Sequence, residues 1–589
     1  MQNGIMLGLI VGWIGCGESE STQDTPQPKQ AAASSQDPNI PPPPPNGERQ
    51  ALPPLDVNPG QNPPVNQPGV PQQPKTLDVV KAGPQLTTAE PPAEQKSASS
   101  SAACSDCDVI LISVCSLRKD YVGAYGLTPS PTPNIDSLAD EGYLFDQTYA
   151  ASNFTLAGLT AMLTGHFGAS TGVTGWDKGL TKDLPTLPEV LGYYGYKTAA
   201  FTMDAASGFR PDYGLHRGFQ RMELTTAPRS TPDGRYQPTD EEPVLEGDGA
   251  SADPAVTWLS QQEDNKPIFL MFHDRTAHYP FVITNKDADK DKTGLTQLLW
   301  EAGHENQNRL APNVAMPGMA GGTKQKGVVD IHGNDPVHDL LNKGGAEALQ
   351  LYKNHYRDGV ARMDKDIEKL IQAQKDRKRF DKTMWILVAD HGESLGDHNE
   401  LLHGASFYNS VINVPFIIKA PGFSGKKEKI SALISHVDIL PTILDYIGAT
   451  QPSGIDGTSI MPIIEGKSKS IRSVAISEGG VAQPIGDMPG AVIAPPWSLL
   501  LHEIGCDGPA ELSPPRKPGE VARCLYNIDE DPLQDKLVSH EHKKVVDSLY
   551  QFWKDFRKER TGKSRQMTLD PSFIQELQRS GYDFRSPEK

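Results

Sequence analysis

The sequence predicts an α/β sandwich with a largely parallel central sheet, followed by a smaller C-terminal α+β domain. Three observations carry this. Short apolar runs at Val109–Ile112, Ile268–Phe272 and Met384–Ala389 suit strands buried on both faces. Helical patterns with start and stop residues lie between them, and such alternation favours parallel pairing. After about Lys467 the segments become shorter and more strand-like, which marks a second architecture.

Taken in order, the first strand runs into a polar cluster, Ser113 to Arg118, at its C-terminal end, where open α/β sheets bind ligands. Asn134–Gly142 reads as a helix opened by Pro133 and stopped by Gly142. Strand Tyr143–Tyr149 follows, then a short helix near Leu156–Leu163 that Thr164-Gly165 ends. Helix Pro188–Tyr194 stops at Gly195, and Lys197–Thr202 is a strand. Ile268–Phe272, the long amphipathic helix Tyr352–Ala373, strands Met384–Ala389 and Val414–Lys419, and helix Asp438–Ile447 complete the larger domain. Beyond it, Val474–Ser477, Trp497–His502 and Arg523–Ile528 read as strands and Lys543–Phe556 as a helix.

At 589 residues the chain exceeds a single core. The expected division is a leader over 1–16, a tether over 17–106, a larger domain over 107–467, a C-terminal subdomain over 468–560 and a polar tail over 561–589. The tether is rich in Pro, Gln and Ser, with too few apolar residues to offset ordering entropy, and reads as extended chain, partly polyproline II. Two long polar stretches, Thr225–Gly249 and Thr284–Asn342, suggest lids, rims or disordered insertions. Asp287, Asp289 and Asp291 alternate like the start of a calcium loop, but Lys292 and Leu298 stand where that loop needs Gly and Glu.

The apolar run Ile5–Ile14 is too short to span a membrane and gives way to small residues before Cys16. This resembles a bacterial lipoprotein signal with Cys16 as the lipid-modified residue, although no Lys or Arg precedes the run; a plain signal peptide is the alternative. Either implies export, and the first a lipid anchor in the cell envelope as the sole membrane contact. Export permits disulfides. Cys506 and Cys524 suit a pair, Cys104 and Cys107 a tight pair or a dithiol, and Cys115 is left over; spacing alone proves none of these. The net charge of −18 argues against nucleic acid, while a local cation would still admit an anionic substrate.

Strand Trp385–Ala389 delivers Asp390 and His391 to its C-terminal edge, half of an oxygen–nitrogen metal site. VILISVCSLRKDYVGAYG, TLAGLTAMLTG, LGYYGYKTAAF, HYPF, VADHGESLGDH with its following HG, VPFIIKAPG and VDILPTILDYIGA succeed one another along the chain. In these motifs, from about Asp108 to at least Leu533, the sequence resembles the sulfatase family of the alkaline phosphatase superfamily. The resemblance implies an alkaline-phosphatase-like sandwich, a divalent cation (Ca2+ in the family) and hydrolysis of sulfate or phosphate esters. It implies that Asp390 and His391 are metal ligands, and that His278 and His403 contact the anionic group or the leaving oxygen.

Two positions depart from that pattern. Cys115 stands where the family has an Asp ligand, with Ser116 at a neighbouring position that is often a second Asp. Counting back from Thr164-Gly165, Thr155 stands where the family carries the Cys or Ser that becomes formylglycine, and Ala157, Gly158 and Leu159 replace the Pro, Ser and Arg that follow. No formylglycine is therefore expected. If Cys115 is a ligand, its thiolate suits Zn2+ or Mn2+ better than Ca2+. A Thr hydroxyl can attack phosphorus directly, which points toward phosphoester chemistry on an anionic substrate such as a sulfated or phosphorylated glycan. The alternative is a catalytically degenerate lipoprotein that binds an anionic glycan or envelope polymer. A third reading has a redox-regulated site in which Cys115 pairs with Cys107 or Cys104.

Overall fold

Strand β1 (Asp108–Val114) lies inside an eight-stranded sheet with all of its residues buried, which is why it reads as a continuous apolar run rather than an alternation. The computed structural model describes residues 104–202, 208–210, 212–224, 251–263, 265–279, 281, 294–296, 336–423, 427–479, 488–502, 505–506 and 520–566. The leader with Cys16, the tether up to 103, residues 225–250, 282–293 and 297–335, with Asp287, Asp289 and Asp291 among them, and the tail beyond 566 lie outside the described residues.

The other strands of this sheet are β2 (Tyr143–Tyr149), β3 (Lys197–Thr202), β4 (Arg221–Leu224), β5 (Ile268–Asp274), β6 (Thr383–Ala389), β7 (Phe416–Lys419) and β8 (Glu428–Ser435). Their order is β8-β2-β7-β6-β1-β5-β3-β4. Only β7 runs against its neighbours β2 and β6; every other pairing is parallel. Among the flanking helices, α1 (Pro133–Asp140), α4 (Asp253–Ser260) and α5 (Pro336–Asp376) pack together, and α2 (Thr155–Thr164) packs with α3 (Leu187–Tyr193) and α6 (Ile439–Ile447). All ten residues of α2 are buried, and Gly165 ends it in the left-handed region with its N–H on the Ala161 carbonyl, as the Thr-Gly stop predicts.

A second sheet is antiparallel in chain order: β9 (Ala475–Glu478), β10 (Gly490–Ala494), β11 (Trp497–His502) and β12 (Ala522–Asn527). Helix α7 (Lys543–Glu559) covers it with Val546, Leu549, Phe552, Trp553 and Phe556. The whole is α/β, with a mixed, mostly parallel sheet and a smaller antiparallel one.

Several boundaries differ from the sequence reading. Helix α5 begins at Pro336 rather than Tyr352 and consists of two segments that meet at a kink at Gly345, whose φ of 59° is non-helical. Part of the stretch read as an insertion is therefore helix. The packed body begins by Cys104, not 107: the Cys104 N–H donates to the Tyr446 carbonyl, and Asp106 pairs with Lys382. Arg565-Gln566, read as tail, forms a short antiparallel pair with Lys178-Gly179.

Cys104 is bonded to Cys107 and Cys506 to Cys524, while Cys115 is a buried thiol outside any disulfide. This overturns the pairing of Cys115 with Cys104 or Cys107. Those cysteines precede β1 and Cys115 follows it, so a seven-residue strand of about 3.3 Å per residue separates them.

Candidate active site

Three adjacent parallel strands end at one edge. Ser113 of β1 lies beside His273 of β5, and Val114 lies between Asp274 of β5 and Ala389 of β6. The next residues are Cys115 and Asp390, so three apolar strands deliver a thiol, an imidazole and a carboxylate together. Backbone pairing continues into the site: Cys115 N–H donates to the Asp274 carbonyl at 2.7 Å and Asp390 N–H to the Val114 carbonyl at 3.2 Å. Ser116 then turns into the left-handed region with φ 62°, a costly conformation for a non-glycine residue. It is held from two sides. Its N–H donates to Asp390 Oδ1 at 3.2 Å, and its carbonyl accepts the Tyr356 hydroxyl of α5 at 2.7 Å.

Helix α2 arrives with Thr155 as its first residue. Gly158 permits this approach, because a Cβ there would lie 2.8 Å from the Asp390 carbonyl oxygen. Thr155 Oγ1 thus sits at the positive end of a buried helix, 3.4 Å from Cys115 Sγ and 3.2 Å from His391 Nε2. His391 donates from Nδ1 to the Gly392 carbonyl at 2.8 Å, and its Nε2 lies 3.9 Å from Cys115 Sγ and 3.6 Å from Asp390 Oδ2. Gly392 makes the sharp turn that the sequence suggests, since a Cβ there would sit 2.1 Å from the Ser410 carbonyl oxygen.

The remaining candidates lie further out. The His403 ring is 4.0 Å from that of His391, and its Nδ1 is 3.2 Å from Glu393 Oε1 and 3.5 Å from Ser116 Oγ. His278 stacks edge-on against His403 at 4.9 Å and forms the outer layer. Thr155, Cys115, Asp390, His391 and His403 therefore share one centre, which His278 borders. Sequence reasoning missed His273, Glu393 and Tyr356. The first had a signal: IFLMFHD ends an apolar strand in a polar doublet, as WILVADH does.

Burial governs the protonation states. It pushes His391 down to about 4 and His403 down to about 3, with His403 and Arg275 respectively adding to the effect, and it holds His278 well below its ordinary value. Burial opposes ionisation of Asp390, but the facing His391, His273 and His403 keep its pKa below the usual carboxylate value. Glu393 is pushed up to about 8 by burial. At neutral pH the centre holds an anionic Asp390, neutral imidazoles and a protonated Glu393.

A divalent cation fits this arrangement. Asp390 Oδ1 accepts the N–H groups of Ser116 and His391, whereas Oδ2 is fully buried with no hydrogen-bond partner. Ca2+ seeks six to eight oxygens, and one carboxylate among sulfur and nitrogen donors does not supply them. Cys115, His273 and Asp390 each offer a donor atom, all within 4.8 Å of one another, a mixture that suits a borderline transition ion.

A model of the Sulfatase family matches residues 108–449. The Δ4,5-hexuronate-2-O-sulfatase of Bacteroides thetaiotaomicron is 24% identical over 450 residues, which cover 74% of this chain and 88% of the relative. The arylsulfatase of Clostridium perfringens is 23% identical, covering 62% and 80%. Among solved structures, the phosphonate monoester hydrolase of Agrobacterium radiobacter superposes with a TM-score of 0.57 at 19% identity, covering 78% of this chain and 97% of that one. A structure in complex with its substrate D-glucosamine-2-N,6-O-disulfate gives 0.56 at 19% identity, covering 77% and 98%. The motifs, the sheet order and these matches agree: the chain belongs to the sulfatase family of the alkaline phosphatase superfamily, a family of sulfuric ester hydrolases.

Proposed function

We propose that the chain hydrolyses an anionic ester with Thr155 as nucleophile, and that phosphate or phosphonate esters suit it better than sulfates. The observation that carries this is the placement of Thr155 Oγ1 at the N-terminus of α2, against Cys115 Sγ and His391 Nε2. A secondary alcohol has no route to formylglycine, but it can attack tetrahedral phosphorus. The Oγ–P bond forms as the ester P–O bond breaks, the proton lost from the Thr155 hydroxyl ends on the leaving oxygen, and water then cleaves the phosphothreonine to return the hydroxyl and release phosphate. Asp390 and Cys115, with a neighbouring imidazole, would hold a divalent ion, of the Zn2+ or Mn2+ class rather than Ca2+ because of the thiol. When bound, such an ion supplies neutralisation of charge on the ester. His403, neutral at physiological pH and oriented by Glu393, offers its ring N–H to the ester oxygens, while His278, whose Nδ1–H is given to the Tyr279 carbonyl, borders the site.

Relatives named for sulfated sugars support an anionic glycan, sulfated or phosphorylated, as the substrate class. The exported, lipid-anchored form with Cys16 at its head and a Pro-rich tether accords with a substrate in the envelope. Cys16→Ala should move the protein from the membrane to the soluble fraction; an unchanged membrane fraction would remove the anchor.

A second reading is supported by closure of the centre: Cys115, Thr155, Asp390, His391 and His403 are each at most 3% exposed. In that reading the protein binds an anionic glycan or envelope polymer without turnover. Aryl phosphodiester, phosphonate monoester and aryl sulfate substrates, assayed with added Zn2+, Mn2+ and Ca2+, separate the two. Thr155→Ala should lose about 1,000-fold or more in kcat/KM, while Thr155→Ser stays within about tenfold of the parent. Equal turnover by Thr155→Ala would sink the nucleophile assignment, and absence of any turnover would leave the binding reading.

A further inference from the structure

The family pattern accounts for Asp390 and His391 as ligands, but not for the histidine on the neighbouring strand. His273 is fully buried at the penultimate position of β5, in register with Ser113, and its Nδ1 is hydrogen-bonded to Ser113 Oγ at 3.2 Å. That bond fixes ring orientation, as hydrogen bonds behind ligating histidines do. Cys115 stands two residues past Ser113 on the central strand, and Asp390 ends the strand on its other side. Each strand therefore contributes one side chain, and the three donor atoms lie within 4.8 Å of one another with exposures of 2% or less.

We propose that Cys115, His273 and Asp390 form a thiolate–imidazole–carboxylate site for a thiophilic divalent ion of the Zn2+ class. The inference rests on the proposed metal-dependent reading and replaces His391 by His273 as the nitrogen ligand. Two independent observations point to a cation there. Asp390 Oδ2 is buried without a hydrogen-bond partner, although its sister oxygen is doubly bonded. The one cysteine among the described residues that is in no disulfide lies in the same cluster. Zn2+ binds sulfur at about 2.3 Å and nitrogen or oxygen at about 2.0–2.2 Å, so a contraction of about an ångström closes the set. Three protein ligands with one open position is the arrangement of catalytic zinc sites. The open side here would face Thr155 Oγ1, 3.4 Å from Cys115 Sγ. His391, relieved of ligation, would keep its 3.2 Å contact with the Thr155 hydroxyl.

The test uses the full chain, stripped with chelator and reloaded with Co2+. Expected are one ion bound per chain by mass spectrometry and a near-ultraviolet thiolate-to-cobalt band that Cys115→Ser abolishes. His273→Ala should weaken Zn2+ binding by at least about 100-fold and alter the visible cobalt spectrum, whereas His391→Ala should change Zn2+ affinity by less than about tenfold. Thermal unfolding of each apo variant checks that it folds, and the parent's cobalt band decides the thiolate even if His273→Ala does not. Preference for Ca2+ with no such band would overturn the proposal. So would loss of metal in His391→Ala with retention in His273→Ala. Thr155→Ala should keep the band while losing turnover. A band without turnover therefore refutes the catalytic reading alone, and turnover without a band refutes this inference alone.

Discussion

Cys115 puts a thiol beside Asp390 at a position where the family resemblance calls for a carboxylate. The strand continues into it through its N–H bond to Asp274, and Ser116 makes the strained turn beyond it. Cys115→Asp would place a second carboxylate in a deeply buried centre. Without a cation the two carboxylates repel, so the apo variant should melt below the parent. Ca2+ should restore it: at a concentration 100 times its Kd, binding contributes about 2.7 kcal/mol. A thermal melt with and without Ca2+ measures both effects, and an apo variant insensitive to Ca2+ would show that the thiol is not a disguised ligand position. Cys115, Thr155, Asp390, His391 and His403 were all legible as a set in the sequence. His273 carried a signal that went unread, the polar doublet ending strand IFLMFHD, while Glu393 had none, because a lone buried glutamate has no chemistry until its neighbours are known.

At the scale of elements, the contact between α2 and the end of β6 sets Thr155 against Asp390 and His391. Gly158→Ala would press a methyl to 2.8 Å from the Asp390 carbonyl oxygen. Over-packing of this kind costs about 1–3 kcal/mol, and here it should also lower kcat by shifting Thr155 relative to Asp390. Gly192 in α3 is the control: a Cβ there meets nothing within 4 Å. Gly192→Ala should gain up to about 1 kcal/mol, since alanine is the better helix former. Denaturant titration of the two variants distinguishes a tight helix–strand approach from a general tolerance of alanine. The buried strands β1, β3, β5 and β6 were readable because burial on both faces leaves unbroken apolar runs. Strands β8 and β10 were not. The first begins with exposed, charged residues and the second is built from small ones, so neither presents a periodic face.

Over the whole molecule, Asp456 ties distant segments. Its Oδ2 accepts the Phe167 N–H just after α2 at 3.0 Å, and its Oδ1 accepts Arg560 Nε beyond α7 at 3.0 Å. Burial works to raise its pKa, but His166 and Arg560 outweigh that and hold it below the ordinary value. A depressed folded-state pKa means that this stabilisation is fully present above about pH 4, where the unfolded group is already ionised, and is lost as the pH falls through the folded value. Asp456→Asn should cost about 3–5 kcal/mol at pH 7, because it leaves Arg560 buried and unpaired. It should also flatten the acid limb of the stability curve. Denaturation at pH 7 and at pH 3 checks the sign: an equal penalty at both would mean that the carboxylate's charge is not what stabilises.

The sequence by itself determined the strands buried on both faces, the stop at Thr164-Gly165, the parallel architecture and the family, because each depends on local pattern or on motifs in fixed order. It also singled out Cys115 and Thr155 as departures from that family. Tertiary structure decided what those two residues stand beside. Only strand register sets His273 beside Cys115 and Asp390, since the three are separated by more than a hundred residues along the chain and converge through parallel pairing. Only the close approach at Gly158 brings Thr155 within reach of them. The pairing of the other cysteines was likewise decided in three dimensions, because a seven-residue strand keeps Cys107 and Cys115 at opposite edges of the sheet.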